Sequence, residues 1–263
     1  MNKTLTTKSI ELTLSNVEAE LQLECQRVRD EIQAYKKFAN QLDSIPVIET
    51  PQVATSQPAR SDSNLSVGRN RGIKELFEST VMAVSHFTED YNESFLEHLA
   101  TEFTPEVAIS VKQSNHPNGI SPQLQSVLYS QAKTAIETRK QLLSTIDSEE
   151  ENITDSATKL IDRSKKIDKI HQAEISGLDF GGLEAYWKNL EQQKELVDKI
   201  SIERQKHIFT SRRSAGPTNT TSDLYEYLYQ DLEETYPILA RIGEVGETIQ
   251  REQKEIELRI SCL

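Results

Sequence analysis

The sequence predicts an all-α protein: a long antiparallel coiled coil or helical bundle with a small helical head. Three observations lead there. Leu14, Leu21, Val28, Tyr35 and Leu42 recur every seven residues, as do Ile146, Ile153, Leu160 and Ile167. A sustained seven-residue repeat marks long helices that pack lengthwise. Only 36% of residues are hydrophobic and 6% aromatic, which is thin for a broad core but enough for helices that bury a narrow stripe. Finally, no hairpin turn lies between alternating apolar runs, so nothing reads as a strand.

Residues 8–45 form the first long coiled-coil helix. Ser15, with Glu18 three residues on, offers an N-cap and a capping box, and Pro46 closes the segment. Val17, Phe38 and Ile45 fill a second stripe that Glu24 and Glu31 interrupt. Residues 46–71 change character: Pro46, Pro51, Pro58 and many serines mark a flexible linker, with Arg60, Arg69 and Arg71 giving it a mild basic bias.

Residues 72–130 read as the helical head. Ile73, Leu76, Phe77, Val81 and Val84 make one apolar arc, and Tyr91, Phe95, Leu96, Leu99 and Phe103 another. Thr104 is an N-cap with Pro105 at the first helical position, and Ser121-Pro122 opens the next helix. NHPNG at 115–119 is a turn. After Pro122 no proline or glycine occurs until Gly177, which permits one very long helix or two end to end.

Residues 131–211 are expected to hold antiparallel long helices. SGLDFGG at 176–182 is the turn between them, and Leu183, Tyr186, Leu190, Val197 and Ile200 line the second. Residues 212–222 read as a loop. Residues 237–263 form the C-terminal coiled-coil helix, with Ile238, Ile242, Val245, Ile249, Ile256 and Leu263 in a 4-3 pattern. Gly243 and Gly246 lie inside it at about 1 kcal/mol each against alanine, and a close helix contact or mild kink is their ordinary explanation.

Between loop and last helix stands DLYEYLYQDLEETY, residues 223–236. On a helix at about 100° per residue, Leu224, Leu228, Leu232, Tyr225, Tyr229 and Tyr236 share one arc, and Tyr227 alone faces away. The arc is expected to dock on the head, against Phe77, Val81 and Val84.

No chemistry is announced. The formal net charge is −12 with a pI near 5.0, which opposes general binding to nucleic acid or anionic membrane. Cys25 and Cys262 form no metal or redox motif. There is no phosphate-binding glycine loop, nucleophile elbow or H-E-x-x-H. His86 with Glu89, Asp90 and Glu93 is a loose candidate metal site, but acidic helix surfaces often carry such clusters and a solvated face is the ordinary reading. No catalytic residue, cofactor or metal is expected. No apolar stretch is long enough to span a bilayer, and the N-terminus lacks the apolar run of a secretory signal, so a soluble cytoplasmic protein is expected. Tyr227, Arg212 and Arg213 are the candidate partner surface. The leading reading is a non-catalytic protein–protein interaction or scaffold protein with an unidentified protein partner, self-association included. The alternative is a nucleic-acid-associated accessory factor using the basic loops.

Four stretches, RVRDEIQAYKKFANQL, LFESTVMAVSHFTEDYNESFLEHLATEFTPEVA, SPQLQSVL and DLYEYLYQDLEETYPILARIGEV, resemble an uncharacterised family of helical proteins from haloarchaea. The resemblance implies a cytoplasmic all-helical protein of no established activity, and it brings no catalytic residues with it.

Overall fold

A computed structural model describes residues 4–48, 72–113, 119–172, 177–214 and 221–262. Nine α-helices are described: α1 (Thr4–Gln41), α2 (Ile73–Thr80), α3 (Phe87–Asp90), α4 (Phe95–Glu102), α5 (Pro105–Gln113), α6 (Pro122–Gln172), α7 (Phe180–Ser214), α8 (Thr221–Leu228) and α9 (Pro237–Ile260). Among the described residues the only β-type pairing is an isolated parallel bridge, Val47 to Ile120. The expected all-α class holds. The chain forms two compact units, one of Met1–Glu24 with Thr145–Leu263 and one of Cys25–Ser144.

In the first unit, α1, α6, α7 and α9 are joined side to side. Thr7 Oγ1 lies 3.0 Å from Ser164 Oγ, and Thr154 donates to Glu18, so α1 and α6 run antiparallel. Trp187 Nε1 donates to Glu257 at 3.1 Å and Gln253 Nε2 to Glu191 at 2.7 Å, which sets α7 and α9 antiparallel. Lys159 bonds Glu203 across α6 and α7, and Arg241 bonds Ser9 across α9 and α1. The seven-residue stripes of α6 and α9 are buried in it: Ile146, Ile153 and Leu160 face inward, as do Ile242, Ile249 and Ile256.

Helix α1 starts at Thr4, so Ser15 is interior and no cap. Ile10, fully buried, extends the stripe upstream of Ser15 and keeps the extra turns folded. Gly243 and Gly246 meet nothing within 4 Å of an added Cβ, so neither marks the close helix contact their position suggested.

In the second unit, Tyr35 and Phe38 of α1, with Leu42 just after it, meet a core from α2, α4, α5 and the first half of α6. Phe77 lies at its centre, with Phe38, Phe95 and Phe103 rings edge-on at 5.2–6.0 Å. Local sequence places these short helices. Ser94 and Glu97 form a reciprocal capping box on α4. Thr104 Oγ1 accepts from Val107 N ahead of Pro105, and Ser121 Oγ from Leu124 N ahead of α6. Residues 46–48, assigned to the linker by sequence, are tied down: Ile120 N donates to Pro46 O and Ile48 N to Ile120 O. The rest of that linker, residues 49–71, lies outside the described residues, as does most of NHPNG.

The segment 223–236 departs most from expectation. Helix α8 ends at Leu228, and Tyr229–Tyr236 follow as turns. Pro237 disfavours helical backbone at the residue before it; Tyr236 sits at φ −132°, ψ 68°, and α9 starts at Pro237. Nor does α8 cover Phe77, Val81 and Val84. It belongs to the first unit, where Tyr225 and Tyr229 reach α6, and the apolar demand of Phe77 is met by the phenylalanines of its own unit.

Candidate functional site

Each unit holds one inward-facing carboxylate–arginine cluster, buried in the first and partly buried in the second. In the first, α6 turns Glu149 inward between Ile146 and Ile153, and α7 turns Arg204 inward between Ile200 and Ile208. Glu149 is 2% exposed and Arg204 1%. Both guanidinium nitrogens meet the carboxylate, Nη1 at 2.8 Å from Oε2 and Nη2 on Oε1, the bidentate geometry that makes such pairs strong. Arg204 Nη1 also donates to Asn152 Oδ1 at 2.8 Å. Tyr229 Oη donates to Glu149 Oε1 at 2.5 Å, Tyr225 Oη lies 3.5 Å from Oε2, and His207 Nε2 lies 3.2 Å from Oε2.

Burial pushes the Glu149 carboxyl up, but the hydrogen bonds from Arg204, His207 and Tyr229 outweigh it and hold the pKa at about 2. The same carboxylate acts the other way on its phenols. Burial first, then the Glu149 charge, pushes Tyr225 up to about 12 and Tyr229 well above the ordinary range.

In the second unit Glu31 of α1 accepts from Arg139 Nε at 2.5 Å and Tyr91 Oη at 2.7 Å, with His86 Nε2 at 3.2 Å. Arg139 Nη1 turns to Glu102 at 2.9 Å, and Tyr35 Oη donates to the same Glu102 oxygen at 2.8 Å. The Arg139 guanidinium lies 4.6 Å over the Tyr35 ring. Burial raises the Glu102 carboxyl, yet Arg139 and Tyr35 hold it below its ordinary value. Burial, then the Glu31 charge, drives Tyr91 upward. His98, buried beneath Phe87 and Tyr91, bonds Glu93 at 2.9 Å.

The acidic grouping around His86 is thereby taken apart. His86 turns to Glu31, Arg27 pairs with Glu89 and Asp90, and Glu93 pairs with His98. No group of three or more His, Cys, Asp or Glu among the described residues is placed to hold a metal ion. Both clusters close on themselves: donors and acceptors face each other inside the helices.

Of the candidate partner surface, Tyr227 is 43% exposed on α8 while Tyr225 and Tyr229 are buried, the split that the helical projection gives. Arg212 is part of α7, not of a loop. Its Nη2 donates to Tyr236 Oη, and its guanidinium lies 5.9 and 5.7 Å from the Tyr225 and Tyr236 ring centres. Helix α7 runs on to Ser214 with those partners in place. The Arg213 side chain lies outside the described residues. Sequence reading missed Glu149, Arg204 and Arg139 as cluster residues. The signal was present at Glu31, which interrupts an apolar stripe, and the same test picks out Glu149 after Ile146 and Arg204 after Ile200.

Helices and closed polar clusters define an all-α helical protein, and none of its described helices is long and apolar enough to cross a membrane. The family described as a domain of unknown function, DUF7260, matches residues 13–253, and the chain belongs to that family. No curated protein and no solved structure matches the chain significantly.

Proposed function

We propose that this chain is a non-catalytic protein–protein interaction or scaffold protein of the cytoplasm, in a haloarchaeal branch of its family. The observation that carries this reading is on α7. Ile202 and Phe209, seven residues apart, are 64% and 60% exposed on the face turned away from Val197, Ile200, Arg204 and Ile208. Seven-residue spacing is the pattern another helix covers lengthwise. Two further points support it. The buried charges of both units are spent on one another, and a net charge of −12 repels phosphate backbones. Arg212, named with Tyr227 and Arg213 as candidate partner surface, donates to Tyr236 inside the first unit.

The test compares the full chain with an Ile202→Asp/Phe209→Asp variant. Binding partners, a second copy included, are measured by light scattering and by quantified co-purification. Partners lost from a variant with unchanged circular dichroism and urea midpoint support the reading. An unchanged partner set overturns it for this face. Recovery of nucleic acid that falls steeply with salt favours the accessory factor instead.

A further inference from the structure

We propose that residues 221–236 form a releasable strap: α8 and the turns after it open as one piece while α6, α7 and α9 stay folded beneath. This device stands independently of the partner reading above.

The anchors of the strap are mostly polar. Tyr225 and Tyr229 reach Glu149, Tyr236 accepts from Arg212, and Glu234 accepts from Arg241. Its apolar contribution is concentrated in the buried rings of Tyr225 and Tyr229 and in Leu228. Leu224 and Leu232 are partly exposed at its edge. Helix α8 has eight residues, too few to be stable away from its support. The turns that follow are held by single turn bonds rather than a helical ladder, among them Gln230 N to Tyr227 O at 3.4 Å and Leu232 N to Tyr229 O at 3.0 Å. A short helix and the irregular backbone after it, held to the rest at a few points, form the kind of unit that opens below the global unfolding free energy.

What lies underneath is complete without the strap. Glu149 keeps both Arg204 nitrogens and His207, and Arg204 keeps Asn152. Water can replace the two phenol hydroxyls on a carboxylate that remains paired. Opening therefore strands no charge of the Glu149 cluster, and Arg241 keeps Ser9 and Glu244. The apolar support of α7 and α9 also lies elsewhere, along Leu190, Val197, Val245 and Ile249. When the strap lifts, a closed surface becomes one that shows a paired glutamate and arginine, and the Tyr225–Leu228–Tyr229 face becomes accessible.

Hydrogen exchange of the full chain, read by mass spectrometry across a urea series below the unfolding midpoint, tests this. The expectation is exchange in 224–236 at least about tenfold faster than in 190–200, with a weaker urea dependence, as sub-global opening requires. A Tyr225→Phe/Tyr229→Phe variant, which keeps both rings, should speed the strap at least about tenfold further for the two lost phenol bonds to a charged group, with 190–200 unchanged. Equal rates and equal urea slopes in the two segments of the wild-type chain would overturn the strap, as would a double variant that accelerates both segments alike.

Discussion

The two units solve the same problem, a charge on a buried helix face, with different arithmetic. Glu149 and Arg204 pair one carboxylate with one guanidinium in bidentate contact. Glu31 and Glu102 divide one guanidinium, Arg139 giving Nε to the first and Nη1 to the second. Each lead carboxylate then takes a tyrosine hydroxyl and faces a histidine: Tyr229 and His207 in one unit, Tyr91 and His86 in the other. A one-to-one pair can be deleted as a pair. A shared guanidinium cannot, because each carboxylate depends on it separately. Buried ion pairs are weak evidence for stability, but breaking one from a single side is costly.

The largest effect should come from Arg139→Met. It leaves two partly buried carboxylates, Glu31 and Glu102, without their guanidinium, and the expected combined loss is about 5 kcal/mol, the top of the roughly 3–5 kcal/mol for one broken buried pair. That is enough to unfold a marginally stable unit. Arg204→Met should fall within the single-pair range. Adding Glu149→Leu to Arg204→Met should recover most of the loss, while adding Glu31→Leu to Arg139→Met should recover only part, since Glu102 stays unpaired. Urea unfolding followed by hydrogen exchange in each unit gives the four values. Equal losses for the two arginines would mean that Arg139 is not truly shared.

Acid titration sharpens the contrast at a smaller scale. Glu149 is depressed from the usual carboxylate range to about 2, so its contribution is fully present above pH of about 4.5 and disappears as pH falls through 2. A depression of this size corresponds to a few kcal/mol, on the order of 3. In Glu149→Gln the acid dependence of the first unit should flatten over that window. The phenols act with the opposite sign. Tyr225 is raised to about 12, so its contribution is present below pH of about 10 and is lost as pH rises through 12. Exchange protection near Glu149 that is unchanged from pH 5 to pH 2 in the wild-type chain would rule out the depressed carboxylate.

Most of the helices were legible because periodicity reports burial directly. Leu21, Val28 and Tyr35, seven apart, are all buried, and Thr104 and Ser121 cap where their prolines announced a helix start. Two kinds of information were not in the pattern. One is which partner an amphipathic segment chooses. The arc of Tyr225 and Leu228 says that α8 packs, but Phe77 offered an apolar face as plausible as the one by Glu149, and only the polar match of phenol to carboxylate separates them. The other is pairing over long separations. Glu31 stood out as a breach in a stripe, yet Arg139, 108 residues away, carries no local mark that names it as the answer. Helix ends also moved where tertiary contacts outweighed caps, as Ile10 did for α1.

The smallest effect concerns glycines, which also divide the units. Gly119, at φ +134°, would place an added Cβ 2.0 Å from the Pro46 carbonyl oxygen. Only a residue without a side chain lets 119–120 run against 46–48, and Gly119→Ala should cost the second unit about 1–3 kcal/mol in strained backbone alone. In the first unit Gly243 and Gly246 lie inside α9 with open space where a Cβ would go. Alanine there restricts the unfolded chain and meets no clash. Gly243→Ala and Gly246→Ala should each raise stability, by about 0.5–1 kcal/mol, seen as a higher urea midpoint with an unchanged slope. A lower midpoint for either would restore the close helix contact that the sequence suggested at these positions, and with it a tighter first unit than these helices describe.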